Sequence, residues 1–525
     1  MTERDTDVVA PTRYSRRLAL VTVCLVMFVT FMDMTIVSVA LGSVRADLHA
    51  GVTQLQWVVN GYGLTFASFM LLGGSLGDRL GRRRIMLAGL ALFGAGSLAG
   101  ALATSPGWLI GARVIMGVGA AASEPGTLSV LRQLYPEGRE RARAIGAWAA
   151  VSGLALALGP VIGGVLVALG DWPAVFWFNV AAAVLIIALA LRSVPESSSP
   201  APGRLDYGGF LLGSLGIGAL TFAVIQGETS GYRTSGVIGL FLAGVLSLVA
   251  FVRVERHSAS PLLDLQYFRS SRFSGALVVA FILYFSVFSI FFFTALYLSA
   301  VINYSPAHTA LEFVPMAGAM IVASAFAGRR VARIGPRAPM AEGCVMAGAG
   351  ILLSALLLES SHPSAWLMAT LALAGYGFGS SAVPMTSVTL AEVPPERSGM
   401  AASATNTSRE LGAVFGVAVL GALVNAQLTG ALEHRLAALH IPHAYFQTII
   451  EFIETGAAPP GMTVGSGAGN SIEDHVVAAV YGAFRNGLEQ SLVLAGVGML
   501  VAAAIAVRTL GPRRSPRGES RDFEI

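Results

Sequence analysis

Asp33 and Arg113 are charged residues inside long apolar stretches of the chain. An ionised carboxylate in a bilayer costs several kcal/mol unless water, a partner or a proton compensates it. Burial favours the neutral acid and a nearby arginine favours the carboxylate, which is the balance that a proton or cation carrier needs. At about 1.5 Å per residue, the two side chains reach depths that agree within roughly 3 Å, so an Asp33–Arg113 pair is geometrically allowed. A purely structural ion pair is the alternative.

Two further carboxylates, Glu124 and Glu410, also fall within apolar stretches. Pro125 and Gly126 follow Glu124 directly and are expected to bend or loosen the helix there. A carboxylate beside a helix break near mid-membrane is a candidate for binding protons or substrate, whereas the alternative places Glu124 in a cytoplasmic vestibule. Glu410 follows Arg409, and because neighbouring helical residues point about 100 degrees apart, these two need not pair.

Membrane-spanning helices must position these residues. Of the 525 residues, 54% are hydrophobic and only 12% are charged, whereas soluble domains carry about 25% charged residues. This composition excludes a soluble multidomain enzyme and a disordered chain, and it predicts an all-α polytopic membrane protein. Runs of about 20 apolar residues predict fourteen spans, near 18–41, 53–76, 85–103, 107–131, 143–169, 173–193, 206–226, 235–254, 273–300, 308–328, 338–358, 365–388, 400–425 and 483–508.

The arginine distribution predicts the orientation. If both termini face the cytoplasm, 28 of the 34 basic residues lie on that face, in agreement with the positive-inside rule. Only Arg45, Arg233, Arg435 and Arg485 then lie outside. We therefore expect a multi-pass protein of the bacterial cytoplasmic membrane with both termini cytoplasmic.

Two loops repeat one spacing of glycine and arginine. The first loop contains Gly74, Arg79, Gly81 and Arg83, with Asp78 between them, and the same glycines and arginines recur 254 residues later. Spans 1–6 and 9–14 are therefore predicted to be two copies of one six-helix unit, with two helices inserted between them. Repeated bundles that face each other across a midplane site are the architecture of alternating-access transporters.

The repeat also predicts the division of the chain. The predicted segments are a cytoplasmic tail 1–17, an N-terminal six-helix bundle 18–193, a linker with two inserted helices 194–272, a C-terminal six-helix bundle 273–508 with an outer loop 426–482, and a cytoplasmic tail 509–525.

Metal and cofactor chemistry has little support in the sequence. His440 and His443 of the outer loop have a spacing that could hold a metal, but two exposed histidines are the preferred interpretation. No Walker A, HExxH or CxxC sequence occurs, so we expect no metal and no cofactor, and a proton gradient would drive transport.

The fifth predicted span contains a glycine-rich run with Gly159, Pro160, Gly163 and Gly164. Proline removes one helix hydrogen bond, and glycine lets a neighbouring helix approach closely. Close packing of this span is therefore predicted, and ordinary packing of small residues is the alternative to a functional role.

The loop from Gly74 to Arg83 resembles the loop signature of the major facilitator superfamily. Fourteen spans with two inserted helices are similar to the drug:proton antiporter branch of that family. The resemblance covers residues 18–508 and implies the major facilitator fold, with two six-helix bundles plus two inserted helices.

Three further motifs resemble those of the same branch. Asp33–Leu41 is similar to its first-helix signature, Arg113–Gly117 to its fourth-helix motif and Gly159–Gly164 to its antiporter motif. The resemblance implies that the arginine of the fourth helix takes part in proton coupling. It also implies that Asp78 and Arg79 stabilise one conformation through contacts between helices.

The predicted function is a proton-coupled antiporter, not an enzyme, that exports drugs, antibiotics or other amphiphilic small molecules by alternating access. Asp33 and Arg113 are assigned to proton coupling, and Glu124 and Glu410 to binding of protons or substrate. The expected partners are a lipophilic or cationic small molecule, protons and the lipid bilayer, without nucleic acid; a periplasmic adaptor is left open. The alternatives are an exporter of a single metabolite or antibiotic, a proton symporter, a membrane receptor and an embedded enzyme.

Overall fold

Helices form all the regular secondary structure in the described part of the chain, so the predicted all-α class is confirmed. The computed structural model describes residues 13–50, 52–136, 138–198, 206–258, 261, 263–300, 302, 304, 306–357, 365–394, 397–438 and 472–511.

Eight helices build the N-terminal half. They are α1 (Arg13–Ile36), α2 (Leu41–Leu48), α3 (Val52–Leu80), α4 (Arg82–Ala101), α5 (Pro106–Ser123), α6 (Pro125–Leu134), α7 (Gly138–Gly170) and α8 (Pro173–Ser193). Proline opens α5, α6 and α8, at the position where its missing N–H leaves no helix hydrogen bond unmade. A 3-10 turn, Val37–Ala40, joins α1 to α2.

Two inserted helices precede the C-terminal half. The remaining helices are α9 (Tyr207–Ser230), α10 (Ser235–His257), α11 (Ser271–Ala300), α12 (Pro306–Ile334), α13 (Arg337–Leu357), α14 (Ala365–Ala391), α15 (Ser398–Ala438) and α16 (Ile472–Thr509). The inserted α9 packs on α3, where the Trp57 and Phe222 rings lie 5.0 Å apart. Because α10 packs mainly on α9, the inserted pair lies at the periphery.

The described residues contain eleven helical stretches that are long and apolar enough to cross a membrane, or twelve if two bent parts of α7 count as one span. The helices α3 and α15, at the predicted second and thirteenth spans, are not among them. The predicted count of fourteen is therefore not confirmed.

The two halves meet where α7 packs on α12 and where α3 packs on α15. A Cβ on Gly146 would lie 3.4 Å from the Ser324 carbonyl oxygen, and one on Gly153 would collide with the Met320 side chain. Glycine therefore lets the halves approach closely along this contact.

The repeated loops adopt matching backbone turns. Gly81 precedes α4 with φ 113°, and Gly335 precedes α13 with φ 78°; glycine adopts such angles without strain. Both turns lie at the end of the bundle where Arg132 and Arg333 line one cavity. We call this end the basic end.

Helix occupies both margins of the predicted outer loop 426–482. The helix α15 continues to Ala438, and α16 begins at Ile472. Residues 426–438 are rich in alanine and leucine, which sustain a helix beyond its most apolar part. The centre of the loop, with His440 and His443, lies outside the described residues.

Candidate functional site

An ion pair between Asp33 of α1 and Arg113 of α5 lies at the centre of the N-terminal half. Both side chains are fully buried. The Asn179 amide of α8 donates a hydrogen bond of 2.6 Å to the second oxygen of Asp33. The pairing that the helix rise allows is thus present, and Asn179 completes it.

Arg113 is held from its other side by α3. Its Nε donates to the Val58 carbonyl oxygen at 2.9 Å, and its guanidinium lies 4.5 Å from the centre of the Tyr62 ring. The Tyr62 hydroxyl in turn donates to the Thr30 carbonyl oxygen at 3.0 Å. The aspartate–arginine cluster, namely Asp33, Arg113, Asn179 and Tyr62, is therefore net neutral and links α1, α3, α5 and α8.

A second buried charge, Arg409 of α15, lies where the two halves meet. Its guanidinium is 4.4 Å from the ring centre of Tyr284, 5.0 Å from that of Phe31 and 5.6 Å from that of Trp148. Tyr284 belongs to the C-terminal half, whereas Phe31 and Trp148 belong to the N-terminal half. Arg409 also donates hydrogen bonds to the Tyr284 hydroxyl and to Asn406. The adjacent positions of Arg409 and Glu410 in the sequence did not predict that three aromatic rings enclose the Arg409 guanidinium.

Glu124 and Glu410 are both fully buried within electrostatic range of Arg409. Neither carboxylate has a hydrogen-bond partner in the described part of the chain. We call Arg409, Glu124 and Glu410 the Arg409 cluster. A buried carboxylate without hydrogen bonds is costly when ionised, so each of these two acids is suited to hold a proton or to meet a cation.

The helix break predicted beside Glu124 is present. The helix α5 ends at Ser123 and α6 begins at Pro125. The Thr127 hydroxyl donates to the Glu124 carbonyl oxygen at 2.6 Å and accepts a bond from the Trp148 indole at 3.1 Å. The break therefore fixes Trp148, which encloses Arg409, beside the Glu124 backbone.

The two clusters belong to one buried polar region. The charges of Asp33, Arg113, Glu124 and Glu410 all lie within electrostatic range of the Tyr62 hydroxyl. A proton gained or lost in either cluster therefore changes the electrostatic potential at the Tyr62 hydroxyl, which both clusters share.

The glycine-rich run of α7 packs against α1 directly after Asp33. A Cβ on Gly159 would collide with the Thr35 hydroxyl, and one on Gly163 would lie 2.7 Å from the Ile36 carbonyl oxygen. By contrast, nothing lies within 4 Å of a Cβ on Gly164. Pro160 lies inside α7. Gly159 and Gly163 are thus required for the close approach of α1 and α7, and Gly164 is not.

The loop motif is anchored within the N-terminal half. A Cβ on Gly81 would lie 2.7 Å from the Glu196 carboxylate, to which the Arg83 backbone N–H donates at 3.2 Å. The side chain of Arg83 donates to the Val194 carbonyl oxygen at 3.3 Å. Sequence reasoning missed Glu196, which follows α8 and fixes the start of α4.

At the basic end, the contacts between the two halves include one made by Arg82, a loop arginine that the sequence motif did not single out. Arg82 pairs with Asp78 at 2.9 Å and donates to the Ser398 hydroxyl of α15 at 3.4 Å. Arg132 of α6 donates to the Val393 carbonyl oxygen at 3.1 Å. Gly74 and Arg79 belong to the same helix, α3, which ends beside this contact.

Comparison with known proteins gives the family. The model of the Major Facilitator Superfamily matches residues 23–417. The chain is 34% identical over 448 residues to the multidrug resistance protein Stp of Mycobacterium tuberculosis, covering 85% of this chain and 83% of Stp. It is 34% identical over 512 residues to the drug efflux pump JefA of the same organism, covering 96% of this chain and 98% of JefA.

A solved structure shows the same fold. The proton:xylose symporter XylE, bound to 6-bromo-6-deoxy-D-glucose, superposes with a TM-score of 0.60 at 14% identity, covering 94% of this chain and 95% of XylE. This multi-pass membrane protein therefore belongs to the major facilitator superfamily of transporters.

Proposed function

We propose that the protein is a proton-coupled antiporter that exports drugs, antibiotics or other amphiphilic small molecules by alternating access. One observation carries the proposal: Glu124 and Glu410, two carboxylates without a hydrogen-bond partner among the described residues, are buried beside Arg409 between the halves. The names of Stp and JefA, a multidrug resistance protein and a drug efflux pump, support export rather than import.

The charge balance of the Arg409 cluster supports exchange of a proton for a cation. If both carboxylates were ionised, the cluster would carry one net negative charge in a low-dielectric region, where uncompensated charge is costly. One of the two acids therefore holds a proton when no substrate is bound. A monovalent organic cation replaces that proton without changing the net charge.

The aromatic enclosure supports a lipophilic or cationic substrate. Phe31, Trp148 and Tyr284 present their ring faces to the Arg409 guanidinium. The same faces attract an organic cation and also bury apolar surface. A substrate that combines positive charge with apolar groups satisfies both properties of this site.

Asp33 and Arg113 are proposed to couple proton binding to conformation. A proton on Asp33 weakens its ion pair with Arg113, which then depends on Val58 and Tyr62. Because the aspartate–arginine cluster links four helices, loss of its ion pair changes how α1 packs in the N-terminal half. For a neutral substrate, one proton that crosses 100 mV supplies about 2.3 kcal/mol, whereas a hundredfold substrate gradient requires roughly 2.7 kcal/mol. Exchange of one proton for a monovalent cation moves no net charge across the membrane, so the pH gradient alone drives it.

The orientation is also part of the proposal. The basic end faces the cytoplasm, in accordance with the positive-inside rule, and both termini lie on that side. Arg82 and its contact with Ser398 then stabilise a conformation that is closed toward the cytoplasm. No cofactor is required, because the proton gradient drives the cycle.

Efflux of a cationic dye tests the proposal. A bacterium that lacks its own major drug pumps would express the protein, be loaded with ethidium and be energised with and without an uncoupler. Wild type and the control Glu140→Gln, an exposed acid at the start of α7, are expected to export the dye until the uncoupler is added. Asp33→Asn is expected to lose this export, and Glu124→Gln is expected to lose export of cationic dyes.

Other results would assign a different function. No efflux from well-expressed protein would contradict broad drug export and leave an exporter of a single metabolite or antibiotic. Proton-driven uptake would indicate a symporter. A receptor or an embedded enzyme would show neither flux.

A further inference from the structure

A cavity of about 970 Å³ at the basic end is strongly positive. Among the described residues, its wall contains one glutamate, Glu392, and six arginines. The lining thus carries a formal charge of +5, whereas the whole chain carries +4. The arginines are Arg132, Arg141, Arg143, Arg272, Arg329 and Arg333.

Both halves of the protein contribute these arginines. Arg141 and Arg143 lie on the first turns of α7 in the N-terminal half, and Arg329 and Arg333 lie on the last turns of α12 in the C-terminal half. Because α7 and α12 form a main contact between the halves, like charges face each other across it. An anion between them would relieve this repulsion.

Four of the six guanidinium groups have neither an ion-pair partner nor a hydrogen-bond partner among the described residues. Arg132 and Arg272 are engaged, since they donate to the carbonyl oxygens of Val393 and Gly511 at 3.1 and 2.7 Å. Arg272 also lies 3.8 Å from Glu392, the single acid of the cavity. The two arginine pairs on α7 and α12 therefore remain to bind a ligand.

The α12 wall of the cavity continues into an apolar surface. Val322 and Phe326 are each 53% exposed and lie two turns and one turn before Arg329, on the same helix face. The Arg329 guanidinium lies 5.5 Å from the centre of the Phe326 ring. A lipid whose phosphate lies in the cavity can therefore pack its acyl chains on the apolar surface of α12.

We propose that this cavity binds the phosphate group of an anionic phospholipid from the leaflet at the basic end. Guanidinium groups bind phosphate through paired, charge-assisted hydrogen bonds, and basic pockets between membrane helices bind anionic headgroups. The bound headgroup joins α7 to α12 and so stabilises the conformation in which the halves are in contact at this end.

Thermal unfolding of the full-length protein in detergent tests the proposal. The protein is titrated with dioleoyl-phosphatidylglycerol, with zwitterionic dioleoyl-phosphatidylcholine and with inorganic phosphate. Phosphatidylglycerol is expected to raise the unfolding temperature of the wild type, and the other two are not. At about fivefold per arginine, the double variants Arg329→Gln/Arg333→Gln and Arg141→Gln/Arg143→Gln should each need roughly 30-fold more lipid.

A matched variant controls for net charge. Arg17→Gln/Arg192→Gln removes two exposed arginines that do not line the cavity, and its half-saturating lipid concentration should stay within twofold of wild type. An equal loss of affinity in this control would overturn the site, as would equal stabilisation by phosphatidylcholine. Stabilisation by inorganic phosphate at the same concentration would show that the cavity binds free phosphate and would overturn the proposal of a lipid headgroup. This readout measures binding, so it is independent of whether the protein exports drugs.

Discussion

Substitution of Asp33 by asparagine leaves a buried arginine charge without its carboxylate. The side chain of Asp33 accepts bonds from Arg113 and Asn179, and neither Asp33 nor Arg113 is exposed. Asparagine has nearly the same size and can still accept one hydrogen bond, so little packing is lost. Removing one partner of a buried ion pair costs about 3–5 kcal/mol, and we expect Asp33→Asn to lower the free energy of unfolding by that amount.

A double-mutant cycle separates the ion pair from other effects. Arg113→Gln should cost a similar amount, because it leaves the Asp33 carboxylate with Asn179 alone. The double variant Asp33→Asn/Arg113→Gln contains neither charge. Its loss in free energy of unfolding should be smaller than the sum of the losses in the two single variants by about 2–3 kcal/mol. Reversible unfolding in mixed micelles with increasing dodecyl sulfate measures all four proteins. Additive losses would show that the two side chains do not interact.

The same double variant tests coupling. Its stability is expected to recover in part, but its uncoupler-sensitive ethidium efflux should remain absent, because no acid remains at position 33. Uncoupler-sensitive efflux by this variant would refute the assignment of proton coupling to Asp33 and leave the pair with a structural role.

Three further predictions follow from the contacts. Gly163→Ala should destabilise the protein by about 1–3 kcal/mol, because its Cβ would lie 2.6 Å from the Val39 side chain. Gly164→Ala should be neutral or slightly stabilising, and thermal unfolding of the two variants compares them. Ser398→Ala should cost about 1 kcal/mol in chemical unfolding, and Arg82→Gln should cost more, because it also removes the pair with Asp78. Glu410→Gln should fold normally yet lose proton-driven export of cations, which dye efflux at equal expression measures. Normal efflux by this variant would contradict the assignment of Glu410 to binding of protons or substrate.

The sequence predicted the parts of the site that depend on local composition. Asp33 and Arg113 stand out because charge is rare in apolar stretches, and their depths follow from helix rise alone. The break beside Glu124 follows from Pro125, which cannot donate the next helix hydrogen bond. The repeated turns at Gly81 and Gly335 follow from a constant spacing.

The sequence could not predict contacts that depend on helix rotation. The enclosure of Arg409 brings together Phe31, Trp148 and Tyr284 from three different helices in both halves, and no spacing along the chain records that arrangement. Asn179 completes the aspartate–arginine cluster from α8 for the same reason. Helix extends into both margins of the predicted loop 426–482, because hydrophobicity ends before helix propensity does.

One turn of α1 contacts both buried clusters and α7. Phe31 and Asp33 are two residues apart, so they point to nearly opposite sides of the helix; Phe31 meets Arg409, and Asp33 meets Arg113. One turn further, Thr35 donates to the Leu156 carbonyl oxygen of α7 at 3.1 Å and packs on Gly159. A helical turn moves as a rigid unit, so α1 cannot shift toward one cluster without moving away from the other. Linkage between proton binding and cation binding therefore requires no long pathway, because both sites share the same backbone segment. The 3-10 turn Val37–Ala40 directly follows this segment, and it provides a point at which the helix can bend.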